Sequence, residues 1–337
     1  MKRTTVLLLV CALVLGLAGV ALAAPKYKIA MVTDIGGLGD QSFNDAAYRG
    51  LQRAEKELGV QIKVVESKKM DDYETNLSNL AEQGYDEIWA IGFLMTDALK
   101  NVAARYPKVK FGIIDAVVEA PNVMSVTFKE EEGSFLQGVL AGKMTKKNVV
   151  GFVGGMEFPL IVKFEAGFRA GVKAVNPKAR VLVGYTGKFD DPGKGKELAM
   201  TQFSQGADIV YHASGACGIG VIEAAKEKKL YAIGVDSDQA HLAPSAVISS
   251  MLKRVDNGVF MGAKALVDGK WKAGHVELGL AEDGVGSGFG IDRFPKEGVK
   301  IPADVRKLHD KAVQLIKSGK LVVPQTREQL NTFKFKL

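Results

Sequence analysis

Short apolar runs alternate with amphipathic stretches from Lys26 onward, and partway along the chain the alternation starts again. Lys28 to Val32, Gln61 to Val65, Glu87 to Ile91 and Lys110 to Ile114 read as strands, with helices between them at Asn44 to Leu58, Tyr73 to Gln83 and Asp97 to Arg105. The second series has strands at Val149 to Val153, Arg180 to Tyr185, Asp208 to Tyr211 and Leu230 to Val235, and helices starting near Val162, Lys194 and Gly218. Parallel strands need a crossover between them, and a helix is the usual crossover. The rhythm therefore predicts an α/β fold of two similar doubly wound domains.

The two series are alike at one informative place. Phe111-Gly112-Ile113-Ile114-Asp115 ends the fourth strand of the first, and Tyr231-Ala232-Ile233-Gly234-Val235-Asp236 ends the fourth strand of the second. Each is followed by another short β-rich run, Met124 to Phe128 and Val247 to Leu252, where the chain is expected to pass between domains. The expected N-terminal lobe is residues 24–127 plus roughly 253–283, and the C-terminal lobe 128–252 plus roughly 284–337, with the crossovers as hinges. Ligands of open α/β sheets bind beyond the carboxyl ends of the strands. Two sheets facing each other would gather Asp34, Asp115, Gly215 and Asp236 around one cleft.

The first residues predict export. Met1-Lys2-Arg3 supplies positive charge, Val6 to Val20 an apolar stretch, and Ala21-Leu22-Ala23 a small-residue cleavage site, so residues 1–23 read as a signal peptide. Losing Lys2 and Arg3 lowers the formal net charge of +7 by two, a mild excess with no arginine-rich block to suggest nucleic acid. Cys11 falls within the leader, with Val10 before it and only a short apolar run upstream, a poor lipidation site; the expectation is a released, periplasmic chain. Cys217 alone then remains, too few thiols for an internal disulfide or a zinc cage, and it reads as a buried thiol. The four histidines, His212, His241, His275 and His309, lack metal-ligand spacing. No metal, cofactor or catalytic nucleophile is expected.

The most distinctive loop follows the first strand: Asp34-Ile35-Gly36-Gly37-Leu38-Gly39-Asp40-Gln41-Ser42-Phe43-Asn44. Ser42 stands where a dinucleotide fingerprint needs its last glycine, and no phosphate-loop lysine follows. Its two aspartates would repel a phosphate, whereas Asp and Asn suit a neutral ligand offering hydroxyl or amide hydrogens. The segment reads equally as a ligand loop or as a Gly-rich turn with Ser42 capping the next helix. Glu130 to Glu132 open another helix, where negative charge suits the positive end.

The run from Asp34 to Asn44, entering a helix with Tyr48 and Gly50, resembles the opening signature of the basic membrane protein family, substrate-binding proteins of ABC importers that include purine-nucleoside receptors. The resemblance continues through Gly154-Gly155-Met156, Phe164, Gly167-Phe168, Ser214-Gly215, Gly234 to Gln239 and Ser250 to Arg254, nearly the whole mature chain. It implies a hinged fold like the type I periplasmic binding proteins, a nucleoside ligand, an importer permease as partner, a monomer, and no enzymatic activity. Carried over by position, it implies base contacts from Asp34, Asn44 and Asp115, a base sandwiched by Phe43 and a second-lobe aromatic, and ribose hydroxyls held by Asp236, Lys253 and the Gly215 backbone. Tyr211, at an expected strand end, is the choice for the second aromatic; Phe164 and Phe189 are its rivals. The alternatives are another flat ring such as a flavin, or a ligand-sensing lobe for a membrane signalling partner.

Overall fold

The computed structural model describes residues 26–337; the leader expected at 1–23, with Cys11, lies outside the described residues. The chain begins with β1 (Lys28–Thr33), α1 (Phe43–Leu58), β2 (Gln61–Glu66), α2 (Asp72–Glu82), β3 (Glu87–Ile91), α3 (Thr96–Arg105), β4 (Lys110–Ile114) and β5 (Val123–Phe128). It continues with α4 (Glu130–Met144), β6 (Val149–Gly154), α5 (Pro159–Val175), β7 (Arg180–Tyr185), α6 (Pro192–Ser204), β8 (Ile209–Ala213), α7 (Cys217–Lys228), β9 (Tyr231–Asp236) and β10 (Val247–Lys253). The last part holds α8 (Val255–Val267), β11 (Gly274–Leu278), β12 (Val285–Phe289), α9 (Ala303–Lys317) and α10 (Arg327–Thr332).

Two six-stranded sheets result, ordered β11-β5-β4-β3-β1-β2 and β12-β10-β9-β8-β6-β7. Position by position the orders correspond, so the internal likeness in the sequence is a likeness of topology. Every pairing is parallel except β10 with β12. Burial follows from place in the sheet. Central β3, Glu87-Ile88-Trp89-Ala90-Ile91, is buried throughout, as a strand covered on both faces must be. Edge strands β2 and β7 contain no fully buried residue and carry charge.

The chain passes between sheets three times: from β5 into α4, from β10 into α8, and from β11 to β12. Helix α4 packs on α5 of the second sheet, and α8 packs back on α1 of the first. The α1–α8 contact depends on Gly50, where an added Cβ would lie 2.3 Å from the Asp256 carbonyl oxygen, so any side chain there would push α8 away. Helix α1 buries Ala46, Ala47, Leu51 and Ala54 and ends at Gly59, whose left-handed φ of 67° lets its N–H close on the Glu55 carbonyl.

One strand end differs from expectation in a way that matters for the site. β8 runs two residues past Tyr211, to Ala213. The cleft-facing end of this strand is therefore Ala213-Ser214-Gly215, and Tyr211 lies inside the sheet.

Candidate ligand-binding cleft

The carboxyl ends of both sheets converge on a cavity of about 50 Å³, below the usual range for small-molecule sites. Asp34, Phe43, Asn44 and Asp115 line it from the first lobe, and Phe164, Phe189, Gly215, Asp236 and Lys253 from the second. Tyr211 does not reach it. Pleat alternation turns its ring toward the helices, onto Phe152 and Phe168 at 5.7 and 5.1 Å between centroids, and its hydroxyl meets Ser134 Oγ at 3.0 Å. It is a core residue, which corrects the expectation that it faces the cleft; Phe164 and Phe189, its rivals, do line the cavity.

The glycine-rich loop is organised by Asp40. Its carboxylate accepts the backbone N–H groups of Ser42, Asn44 and Asp45 at 2.9, 2.8 and 3.1 Å, satisfying donors that the start of α1 leaves free. Ser42 occupies the cap position but makes no side-chain cap; its hydroxyl instead donates to Asp236 Oδ2 across the cleft. Asn44, held in the first turn of α1, donates through Nδ2 to Asp34 Oδ1 at 2.8 Å and to Asp40 Oδ2 at 3.2 Å.

Asp115 follows β4 and Asp236 ends β9, its equivalent in the other sheet, and both adopt a left-handed backbone, φ 69° and 61°. Such a conformation costs a non-glycine residue of order 1 kcal/mol or more and persists only where its surroundings hold it. Lys253 ends β10 at a crossover. Its ammonium lies 2.5 Å from Asp115 Oδ2 and 3.2 Å from Glu130 Oε1, with the rings of Phe43, Phe128 and Phe164 at 5.2, 5.2 and 5.5 Å. The sequence placed Lys253 beside Asp236; the structure pairs it instead with Asp115 of the other lobe and with Glu130 on the neighbouring crossover. Glu130 is also bound by Lys163 at 2.7 Å.

Burial pushes the carboxyls of Asp34, Asp40 and Asp115 up to about 6, and that of Asp236 up to about 7. Lys253 partly offsets the shift at Asp115 and Asp236. Burial alone would lower the Lys253 pKa, but Asp115, Glu130 and Asp236 raise it above the ordinary lysine value, so it stays charged. Four acids and one lysine already engaged by two acids make a site hostile to phosphate and receptive to neutral hydrogen-bond donors.

Several lining groups had no sequence signal. Phe93 touches Phe158 at 5.2 Å and Phe189 at 6.3 Å, contacts between lobes that no local pattern encodes. Leu160 and Ile161 are others. Asp40 was visible in the quoted loop but gave no hint that it, and not Ser42, closes the helix start. Cys217 is buried with its thiol toward the Lys188 carbonyl. Among the described residues no group of His, Cys, Asp and Glu is placed to hold a metal ion, and no helix is long and apolar enough to cross a membrane.

Comparison with known proteins bears on this cleft. In Lactococcus lactis subsp. cremoris, a protein named ABC transporter nucleoside-binding protein BmpA is 35% identical over 319 residues, covering 88% of this chain and 89% of that one. An uncharacterized lipoprotein of Pyrococcus abyssi is 36% identical over 349 residues, covering 91% and 86%. That relative's name stands against the expectation of an unanchored chain; Cys11 lies outside the described residues. The crystal structure of an ABC transporter solute-binding protein from Aeropyrum pernix K1 superposes with a TM-score of 0.81 at 31% identity, covering 91% of this chain and 96% of that one. Residues 27–330 match the Bmp family, described as ABC transporter substrate-binding protein PnrA-like. These are binding proteins and not enzymes, and by sequence, fold and cleft the chain belongs to the Bmp family of ABC transporter substrate-binding proteins.

Proposed function

We propose that this protein captures a purine nucleoside in the cleft between its lobes and delivers it, as a monomer outside the cytoplasm, to the permease of an ABC importer. The carrying observation is the combination that lines one cavity: an aromatic ring, Phe43, beside Asp34 and Asn44, with Asp236 and Lys253 among the remaining polar groups. A flat base needs the ring, its N–H groups need acceptors, and a ribose diol needs a carboxylate. A simple sugar would use the acids but gives less reason for aromatic plates.

Phe189 is our choice for the plate opposite Phe43. Its ring rests directly on Gly155, where an added Cβ would lie 2.1 Å from Cε1, so no side chain intervenes behind it and it lines the cavity in front. Phe164 lies deeper, beside Lys253. Asp236 is assigned the ribose hydroxyls, with the Gly215 backbone beside it. Lys253 acts through Asp115, keeping that carboxylate charged and directed into the cleft. The relative named for nucleoside binding supports the same reading. The test is which solutes stabilise the protein: purine nucleosides should, and free ribose should do so far less.

A further inference from the structure

The second lobe has a cationic end remote from the cleft. Strands β6, β7, β8 and β9 run parallel with their carboxyl ends toward the cavity, so the loops that lead into them form the opposite end. Hydrogen bonds join these loops into one surface. Arg180 N–H donates to the Asn148 carbonyl at 2.8 Å, Asp208 N–H to that of Val149 at 3.1 Å, and Tyr231 N–H to that of Asp208 at 3.1 Å. Lys143, Lys146 and Lys147 lead into β6, Lys178 and Arg180 into β7, and Lys228 and Lys229 into β9; all are exposed. None of them forms a salt bridge among the described residues. The acids on the same loops are already engaged. Asp208 accepts from Thr145 Oγ1 at 2.6 Å and from the Lys146 and Lys147 N–H groups at 2.7 and 3.0 Å, and Glu227 pairs with Lys196 at 3.1 Å. Lys229 also holds a φ of 55°, the left-handed position after α7 that favours glycine. A charged side chain thus stands where the backbone prefers none. The equivalent end of the first lobe is mixed, with Glu55, Glu57 and Asp86 among Lys56 and Lys108.

We propose that this end of the second lobe seats the protein on an anionic lipid surface. Its cations are spread over the starts of four neighbouring strands, about 15 Å at the usual strand spacing. A spread of point charges suits a charged plane, where each lysine meets its own headgroup, better than a single ion. Lysine here far outnumbers arginine, the residue that would clamp one phosphate by two parallel hydrogen bonds. These loops also carry no aromatic side chain on which a base could stack. Seated this way, the second lobe rests on the bilayer and the first lobe, beyond the cleft, is free to move. The inference does not depend on which solute the cleft takes.

Co-sedimentation of the full chain with vesicles tests this, using phosphatidylcholine alone against an equal mixture of phosphatidylcholine and phosphatidylglycerol. The protein should prefer the anionic vesicles and lose that preference near 1 M salt, where the Debye length is about 3 Å. The triple variant Lys146→Gln, Lys147→Gln, Lys178→Gln should bind them about a hundredfold more weakly, at about fivefold per charge, with its melting temperature unchanged. Replacing three exposed lysines of the first lobe, Lys56→Gln, Lys100→Gln and Lys108→Gln, removes the same charge and should cost far less. Any contribution from the leader is common to both variants. Lys229→Gly should weaken binding about fivefold while the protein melts no lower. Equal losses in the two triple variants, or no preference for the anionic vesicles, would overturn the inference. Retention on heparin with no binding to anionic vesicles would overturn it too, and would assign the face to a soluble polyanion.

Discussion

Phe43 shows how one side chain ties loop, helix and cleft together. It is the first residue of α1, aligned by a helix start that Asp40 closes, with its ring bordered by Gly92 and by the Lys253 ammonium. If the ring is a plate for a base, its loss should cost the stacking energy, roughly 1–3 kcal/mol for each base on an aromatic. Phe43→Ala should then raise Kd for purine nucleosides by about ten- to a hundredfold, since each 1.4 kcal/mol is a factor of ten. Phe43→Tyr should keep much of the affinity, while Phe43→Leu, equally apolar but without a π-face, should lose it. Titration of the folded variants decides the matter. Wild-type affinity in Phe43→Leu would make the ring simple packing and remove the main argument for a base over a sugar.

At the scale of elements, the lobes touch through loops that are distant in sequence. Gln41 accepts at both its oxygens, from Gln239 Nε2 through its carbonyl at 3.1 Å and beside His241 Nε2 through Oε1 at 3.1 Å, and Arg49 of α1 reaches Ser237 Oγ at 2.5 Å. Phe93, after β3, meets Phe158, just before α5. Phe158 is 40% exposed although large and apolar, and the ring contact across the cleft accounts for its place. It does not line the cavity, so removing it should leave ligand contacts intact while weakening the contact between lobes by the worth of one aromatic pair, about 0.5–1.5 kcal/mol. Phe158→Ala should speed nucleoside release by roughly two- to tenfold in a stopped-flow chase. An unchanged release rate would mean the contact does nothing for closure.

The same contacts mark the limit of what the sequence discloses. Strand and helix positions were legible because burial on both sheet faces leaves continuous apolar runs, and because equivalent elements recur in both halves. The acids at Asp34, Asp115 and Asp236 were legible because strand ends are predictable. Tyr211 was misread by a strand end placed two residues too early; two residues keep the same face of the sheet but leave Tyr211 roughly 6–7 Å short of the cleft-facing end. The Phe93–Phe158 contact and the pairing of Lys253 with Asp115 were illegible, since each joins residues brought together only when the lobes meet. The role of Asp40 was hidden for another reason. An aspartate two residues before the cap position and a serine at it are both plausible caps, and only the demand of Asp236 for a donor across the cleft decides which of them is used.

For the whole molecule, buried acids in the cleft and elsewhere in the fold store unfavourable charge that acidity should relieve. Asp34, Asp40 and Asp115 titrate near 6 in the fold, and Asp236, Glu87 and Glu131 near 7, all raised chiefly by burial from ordinary values of 3.8 for Asp and 4.5 for Glu. Between those values and about 7 the folded chain holds more protons than the unfolded one, so stability falls as pH rises through that window. The urea midpoint of the ligand-free protein should therefore be higher at pH 5 than at pH 8, contrary to what stabilised carboxylates would give. A flat or rising profile would mean that these acids are better compensated than their surroundings suggest.

If the cleft takes a nucleoside, binding favours the native molecule over the unfolded one, and heat reads that directly. A ligand that binds only the native form stabilises it by about 2.7 kcal/mol at a hundredfold excess over Kd, which corresponds to a rise of several degrees for lobes of this size. The decisive measurement is the melting temperature of the protein with guanosine, inosine, adenosine or free ribose at equal concentration. A clear rise with at least one purine nucleoside and a far smaller one with ribose is the predicted result. Equal rises with ribose and the nucleosides, or a rise with ribose alone, would contradict the nucleoside reading and make the cleft a sugar site.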